Sequence, residues 1–493
     1  MLPYNPGGHA AYQDTFVSDF LKFYPDPFVL SKDTWDYIIQ FWFLDLSPSD
    51  SIMQECYSVF GPQPRLPSCM LRSYLIALKL KVTSITQWCR MLRETPLYAI
   101  LSGFSFGDTP GVGTFYDFFT RLWKGDSNNF SPKDRFPKLK VPKGKKKGEK
   151  TPCDSSGVAS KLLPLLERWR FKHNHPFYLI FRLYQQFLSK SIREGLIDPH
   201  HLALAGDGTP VRTAALQRRK RLCNCSDNGS YHCSCKRLYS QPDCNWGWDS
   251  HRECYFFGYH LYMYVASDSH SDLPVFPLLE RASRHDMLSF LHSFFTMKSY
   301  LPEFRIEKLL LDSAQDAYPV YEYCKREGIS PFIDLNPGHT GHFKYKDDFT
   351  IDVDGVPICK LGLRMHKDGH EPSKHRAKYR CPKANRQHGC FCEQPCSDAK
   401  YGRTVHIYQK DNPRLFNIPP RDSKEWKKEY NGRTSVERSN KRQKEDYKLE
   451  DGRHRSSKMW YCRLYGIMML QHLDAWEMPS VEAFQNSLLS LPA

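Results

Sequence analysis

The stretch 306–336, IEKLLLDSAQDAYPVYEYCKREGISPFIDLN, decides the fold. IEKLLLD (306–312) is a short apolar run closed by an aspartate, the texture of a buried strand. DAYPVYEYCKREG (316–328) has helical spacing, with Gly328 as its stop. SPFIDLN (330–336) reads as a second strand, so the segment is a strand–helix–strand unit. Upstream, HLALAGD (201–207), FFGYHLYMYVASD (256–268) and LPVFPLLE (273–280) read as three strands, and RHDMLSFLHSFFTMKSYL (284–301) as a helix. The order strand, strand, strand, helix, strand, helix, strand predicts an α/β fold with a mixed sheet whose first strands are antiparallel.

The rest of the chain is organised around this core. Its 493 residues suffice for about two to four domains. A 40% hydrophobic and 14% aromatic content supports a real core. Residues 1–66 form a mixed N-terminal segment. Residues 67–130 carry MLRSYLIALKLK, SITQWCRMLRET and TFYDFFTRLWKG and predict an all-helical domain for DNA contact or dimerisation. Residues 131–155, opening SPKDRFPKLKVPKGKKKGEK, are too rich in lysine, proline and glycine to bury a core and read as a basic linker. Core residues then run over 156–339, with a cysteine-rich loop at 221–254. A β-rich insertion spans 340–425, and a C-terminal helical part spans 426–493, with one long helix expected from about Ser435 to Glu477.

Charge narrows the partners. Lys+Arg number 70 against 54 Asp+Glu, a formal net charge of +16, which favours a polyanion such as nucleic acid. No apolar run has the ~20 residues of a membrane helix, and the N-terminus lacks the pattern of a secretory signal, so a cytoplasmic, nucleoid-associated protein is expected.

Asp207 and Asp312 each close a buried-looking strand, and strand ends are where open α/β sheets bind ligands. If the two strands are neighbours, the carboxylates converge, a standard way to hold Mg²⁺ against phosphate oxygens. A third carboxylate comes from YNGRTSVERSNKRQK (430–444), where Tyr430, Arg433, Glu437 and Lys444 stand at offsets 0, 3, 7 and 14. On a helix these share roughly 60° of arc. The plainer alternative is a solvated face with i,i+4 pairs such as Arg433–Glu437. Asp316 and Asp286 read as helix N-caps, and Asp334 is the chief rival carboxylate.

The chain has 17 cysteines, many of them bunched. Cys223, Cys225, Cys233 and Cys235 form one set, and Cys381, Cys390, Cys392 and Cys396 a second, with His388 nearby. Each lies in a polar, basic stretch that apolar burial cannot fold, and a structural Zn²⁺ would supply that stability. Unliganded thiols on loops are the alternative.

The segment at 430–444 matches Y-x2-R-x3-E-x6-K at all four positions. It resembles the signature of DDE transposases from bacterial insertion sequences. AGDGTPV, FFGYHLYMYV with LPVFPLLERASRHD, and LLLDSAQDAYPVYEYCKREGISPFI resemble the family's core strands. The helical run ahead of them resembles the domain that precedes its core. The resemblance covers about 67–123 and 202–476. It implies an RNase H-like core with a largely β insertion between the second aspartate and the glutamate. Asp207, Asp312 and Glu437 would be the catalytic triad holding two Mg²⁺ or Mn²⁺ ions. Arg433 and Lys444 would contact DNA phosphates, and Tyr430 would stack or hydrogen-bond on the element's end. The implied activity is cutting at terminal inverted repeats in double-stranded DNA and joining the 3′-OH ends to target DNA, as a homodimer. The first cysteine set departs from the family pattern by lengthening the stretch after Asp207. A domesticated, catalytically silent zinc-containing DNA-binding protein and a structure-selective nuclease are the competing readings.

Overall fold

The computed structural model describes residues 2, 7–26, 29–130, 157–168, 175–215, 219–221, 223–235, 237–239, 241–336, 343–346, 349–385, 389–390, 392–410 and 412–489. The predicted basic linker lies outside the described residues.

Seven helices come first: α1 (Gly8–Phe23), α2 (Lys32–Trp42), α3 (Pro48–Met53), α4 (Pro67–Lys79), α5 (Ile85–Glu94), α6 (Pro96–Ser102) and α7 (Val112–Arg121). α8 (Val158–Arg168) and α9 (Tyr178–Arg193) lead to strand β1 (Leu202–Arg212). A small hairpin, β2 (Arg219–Arg221) with β3 (Arg237–Tyr239), precedes β4 (Asn245–Asp249), β5 (Cys254–Ala266) and β6 (Leu273–Arg281). Then come α10 (Asp286–Tyr300), β7 (Ile306–Leu311), α11 (Tyr318–Glu327) and β8 (Ser330–Ile333). The three strands, helix, strand, helix and strand read from the sequence are therefore present in that order.

One mixed sheet runs β4-β5-β1-β7-β8, with β6 also on β5. β5 is antiparallel to β1, β4 and β6, whereas β1, β7 and β8 are mutually parallel. Short turns join β4 to β5 and β5 to β6, a long excursion carrying the β2–β3 hairpin separates β1 from β4, and crossover helices α10 and α11 are long enough to return the chain in parallel. Gly258 allows the tight β5–β1 approach, since a Cβ there would stand 2.0 Å from the Val211 carbonyl oxygen.

The insertion supplies small sheets: β9 (Phe343–Lys346), β10 (Phe349–Ile351) and β11 (Pro357–Ile358); β12 (His366–Glu371) and β13 (Arg376–Arg380); and β14 (Ala384–Asn385) with β15 (Gly389–Cys390). Strand β16 (Thr404–Tyr408) pairs with β13. A separate apolar cluster that includes Ile351, Tyr379, Val405 and Ile407 holds this part together. It is fastened to the main sheet by Arg414, which makes a two-pronged pair with Asp316 at 2.8 and 2.7 Å, and by Arg421, which donates to the Ile333 carbonyl at 3.0 Å.

The C-terminal part differs from the expected long helix. α12 (Lys424–Tyr430), a 3-10 turn, α13 (Thr434–Lys441) and a π turn (Arg442–Asp446) form one irregular helical rod. The chain then breaks, with Lys448 and Arg453 in left-handed conformation, before α14 (Ser457–Leu473) starts under the cap of Ser456. Arg463 explains the tolerance of that break: it donates to the carbonyls of Leu449, Tyr447 and Lys448 at 3.0, 3.1 and 2.6 Å, acceptors a continued helix would have satisfied. Every residue of α14 is buried. α14 lies between the sheet, α9 and the N-terminal helices, and its buried polar side chains have partners there: Arg463 the carbonyls just named, Gln471 Ser439, and His472 Tyr184. Gly466 faces Leu78 of α4 so closely that a Cβ would meet it at 2.5 Å. The N-terminal helices and the sheet consequently share one continuous apolar core. The last helix, α15 (Val481–Leu489), adds Phe484 against Trp42 of α2.

Candidate metal and nucleic-acid site

Strand register places the two aspartates. β1 and β7 are parallel neighbours in which Gly206 stands beside Leu311. The next residue on each strand is the aspartate, so Asp207 and Asp312 lie side by side where the strands end their pairing. Side chains alternate across a strand. Gly206 meets Tyr264 and Leu311 on one face, which α10 covers through a hydrogen bond from Tyr264 to the Phe290 carbonyl at 3.0 Å. Asp207 and Asp312 therefore take the opposite face, the one crossed by the irregular rod of α12 and α13.

All four residues of the 430–444 signature act at this crossing. Tyr430 stacks on Trp426 at 4.6 Å and donates to Asp334, beyond β8, at 2.7 Å. Arg433 pairs with Glu437 at 2.8 Å. The charges of Glu437, Asp207 and Asp312 help hold its guanidinium pKa up against burial. Lys444 donates to Thr209 Oγ1 at 2.7 Å and to the Pro210 carbonyl at 2.5 Å, and burial pulls its pKa down. The rod thus spans the strand ends from β8 to β1, with Arg433 among the three carboxylates.

Electrostatics mark the same place. Burial pushes the Asp207 carboxyl up to about 7, opposed by Arg433 and the Gly208 amide and reinforced by Asp286 and Asp312. A carboxylate that resists ionisation among others of its kind is a site short of positive charge. Glu437 is half exposed, and its carboxylate is engaged with Arg433. As they stand, Asp207, Asp312 and Glu437 are not drawn into the tight mutual spacing of a closed ligand set. The i,i+4 pair expected of a solvated face does form, and the same arginine also reaches the aspartates.

Three rival carboxylates have different surroundings. The cap of α10 is His285, not Asp286; Asp286 pairs with His260 at 2.7 Å. This pair leaves no room beside Gly208, where a Cβ would stand 2.1 Å from the His260 ring. His260 continues through Ser289 to the buried Glu280 at 2.9 and 2.6 Å. Burial would raise the Glu280 pKa, but His292, Arg284 and Ser289 bring it down to about 2. Asp316 is likewise no helix cap: Ala317 precedes α11, and Asp316 is buried against Arg414. Asp334 serves Tyr430. Sequence spacing did not reveal these partners, because each lies on another element.

The first cysteine set closes. Among the described residues, Cys223, Cys225, Cys233 and Cys235 form a group whose sulfurs all lie within 4.8 Å of one another, at the end of the β2–β3 hairpin. Sγ–Sγ distances are 3.3 Å for Cys223–Cys233 and 3.6 Å for Cys225–Cys235. Hydrogen bonds from its neighbours bring the Cys223 thiol down to about 7. Four converging thiols could hold a metal such as zinc. In the second set Cys381 is buried and Cys396 exposed, while the side chain of Cys390 and all of His388 lie outside the described residues.

No helix among the described residues is long and apolar enough to cross a membrane. No protein-family model, curated protein or solved structure matches this chain.

Proposed function

We propose that this chain is a DDE-type DNA transposase of an insertion sequence, working by divalent-metal phosphoryl transfer. The observation that carries the reading is the meeting at one sheet face of Asp207, Asp312 and the Arg433–Glu437 pair, from elements far apart in sequence. Strand order and direction add support, since three antiparallel strands followed by parallel strands on the other side of the first is the order of an RNase H-like core.

The donor set fits Mg²⁺ or Mn²⁺: hard carboxylate oxygens whose combined charge a single arginine does not balance. Asp207, Asp312 and Glu437 would hold the ions. When bound, such ions activate the attacking water or 3′-OH and stabilise the leaving oxygen of the scissile phosphate. The protein's own groups do the rest. Arg433, already among the carboxylates, can turn its free donors to a DNA phosphate. Lys444 keeps a positive charge fixed at the end of β1. Tyr430, locked by Asp334 and Trp426, sets the position of the rod. The basic chain binds double-stranded DNA, and cutting two element ends calls for two active sites, hence a homodimer on DNA. Zn²⁺ at the four thiols would fold the hairpin tip.

One observation favours a second reading. Arg433 lies where a cation would balance the carboxylates, as a silent zinc-containing DNA-binding protein would allow. The test is cleavage and joining by the full-length chain with Mg²⁺ or Mn²⁺, on a plasmid carrying the gene and its native flanking DNA. Metal-dependent nicking and strand transfer, lost in Glu437→Ala, is the expected result. Cutting that persists in Glu437→Ala overturns the assignment. Cutting without joining identifies a nuclease, and binding without either identifies the silent protein.

A further inference from the structure

Three aromatic side chains stand exposed on the sheet outside the site just described. Trp246, Trp248 and Tyr255 are 40%, 53% and 71% exposed. Trp248 meets Tyr255 edge-on at 4.9 Å, and Trp246 meets the buried Phe257 at 5.8 Å. β-Register fixes which way they point. Asp207 pairs with Met263, and β5 runs from there without a register shift against β1 or β4 to Phe257 and Tyr255, which pair with Trp246 and Trp248. Each is an even number of residues from Met263, so all share one face with Asp207. On the opposite face Gly247 lies against Ala282, where a Cβ would meet the carbonyl oxygen at 2.5 Å.

On the strand between carboxylates and aromatics, Leu261 and Tyr259 are buried, with Tyr259 against Ser457 and Trp460, so a nucleic-acid strand leaving the site would run over the outside of that cover. Six to eight residues of strand separate Met263 from Phe257 and Tyr255, roughly 20–27 Å. Lys444 is fixed to Thr209 on that face, whereas Arg212, an odd number of residues from Asp207, turns to the opposite face with Asp249 and Cys254. Arg252 and His251 are exposed in the β4–β5 turn. Acidic groups are present too: Asp249 is paired with Arg212 at 3.6 Å, Glu450 accepts from the Arg212 amide at 3.0 Å, and Glu253 is exposed. Exposed aromatic faces beside the exposed Arg252 and His251 of the adjoining turn suit unpaired bases on a phosphate backbone: the rings stack on bases and the cation meets the phosphates.

We propose that Trp246, Trp248 and Tyr255 form a stacking platform for single-stranded DNA leaving the carboxylate site. The inference deepens the transposase reading and rests on it. It names a feature of the substrate: a few unpaired nucleotides beside the scissile phosphate, within the ~4 or more that a small single-strand site covers.

The experiment measures binding of a short oligothymidylate and of a blunt duplex to the full-length chain, by tryptophan quenching and fluorescence anisotropy, without added Mg²⁺ or Mn²⁺. Expected are quenching by the oligothymidylate and a roughly tenfold or greater loss of its affinity in Trp246→Ala/Trp248→Ala. Trp248→Phe should retain most of the affinity, and duplex binding should change little. Glu437→Ala should bind as the wild type does, so loss of cleavage and loss of stacking are separate outcomes. Unchanged oligothymidylate affinity in the double variant overturns the proposal, as does an equal loss for both DNAs. A variant that instead changes sedimentation of the DNA-free protein overturns it in favour of a self-association surface. Tyr255→Ala gives a second variant should the double variant fail to fold, judged by circular dichroism.

Discussion

The carboxylate site and the four-thiol cluster are built in opposite ways. Asp207 and Asp312 are positioned by strand register inside a shared core, and Glu437 by a rod locked across the same strands. The thiols lie at the end of a two-stranded hairpin whose loop has few apolar residues. The first site keeps its geometry because the fold would have to change to lose it. The second lacks such a core, and a metal held by the four thiols would be its source of order. Rigid support suits a reaction centre, and a metal-folded tip suits a contact that can be lost without unfolding the rest.

The largest expected effect tests whether the rigid site is chemical. Glu437→Ala should lower DNA cleavage on the order of 10⁴-fold, while the melting temperature stays near that of the wild type because Glu437 is half exposed. A comparable loss of stability would show that Glu437 is structural. Next comes the fastening of the insertion. Arg414→Ala leaves Asp316 buried without its partner and should cost about 3 kcal/mol in denaturant unfolding. Lys441→Ala, at the exposed i,i+4 pair with Glu445, should cost under about 1 kcal/mol.

The thiol cluster should behave differently. Cys225→Ser with Cys235→Ser should remove one equivalent of zinc by elemental analysis and speed hydrogen exchange across 223–235. The main thermal transition should move by no more than about 2 °C. A large shift would mean that the hairpin supports the core, and the contrast would fail.

A further effect is in pH. The Asp207 pKa is raised in the folded protein from the ordinary 3.8 to about 7, so the folded state holds a proton that the unfolded state has released between those values. Stability of the metal-free protein should therefore fall as pH rises from about 4 to about 7. Asp207→Asn should flatten that slope, read from melting temperature against pH. Added Mg²⁺ should raise the melting temperature more at pH 8 than at pH 5. An Asp207→Asn slope equal to the wild type's would remove Asp207 as its source.

Much of this was legible in the chain. The apolar runs 201–207, 256–268, 273–280 and 306–312 became strands: 256–268 and 273–280 carry the aromatic and β-branched content that favours one, while 201–207 and 306–312 are short aliphatic runs buried in the parallel part of the sheet. The two aspartates and the four-residue signature also stood out, although β1 runs on to Arg212, so that Asp207 lies within its strand and only Asp312 follows a strand end. The long helix from Ser435 to Glu477 did not form, because Arg463 can satisfy the carbonyls of a break that periodicity alone cannot reveal. Asp286 and Asp316 looked like caps, since local sequence shows the helix that follows but not His260 or Arg414.

Order of elements, the alternation that gives each strand two faces, and the spacing of acids and thiols are local properties, written in neighbouring residues. Which strands became neighbours, which face Asp207 shares with Arg433 and Trp248, and whether distant sulfurs meet depend on contacts between segments far apart in the chain. Those contacts are chosen by the total free energy of packing, so only the folded molecule could decide them.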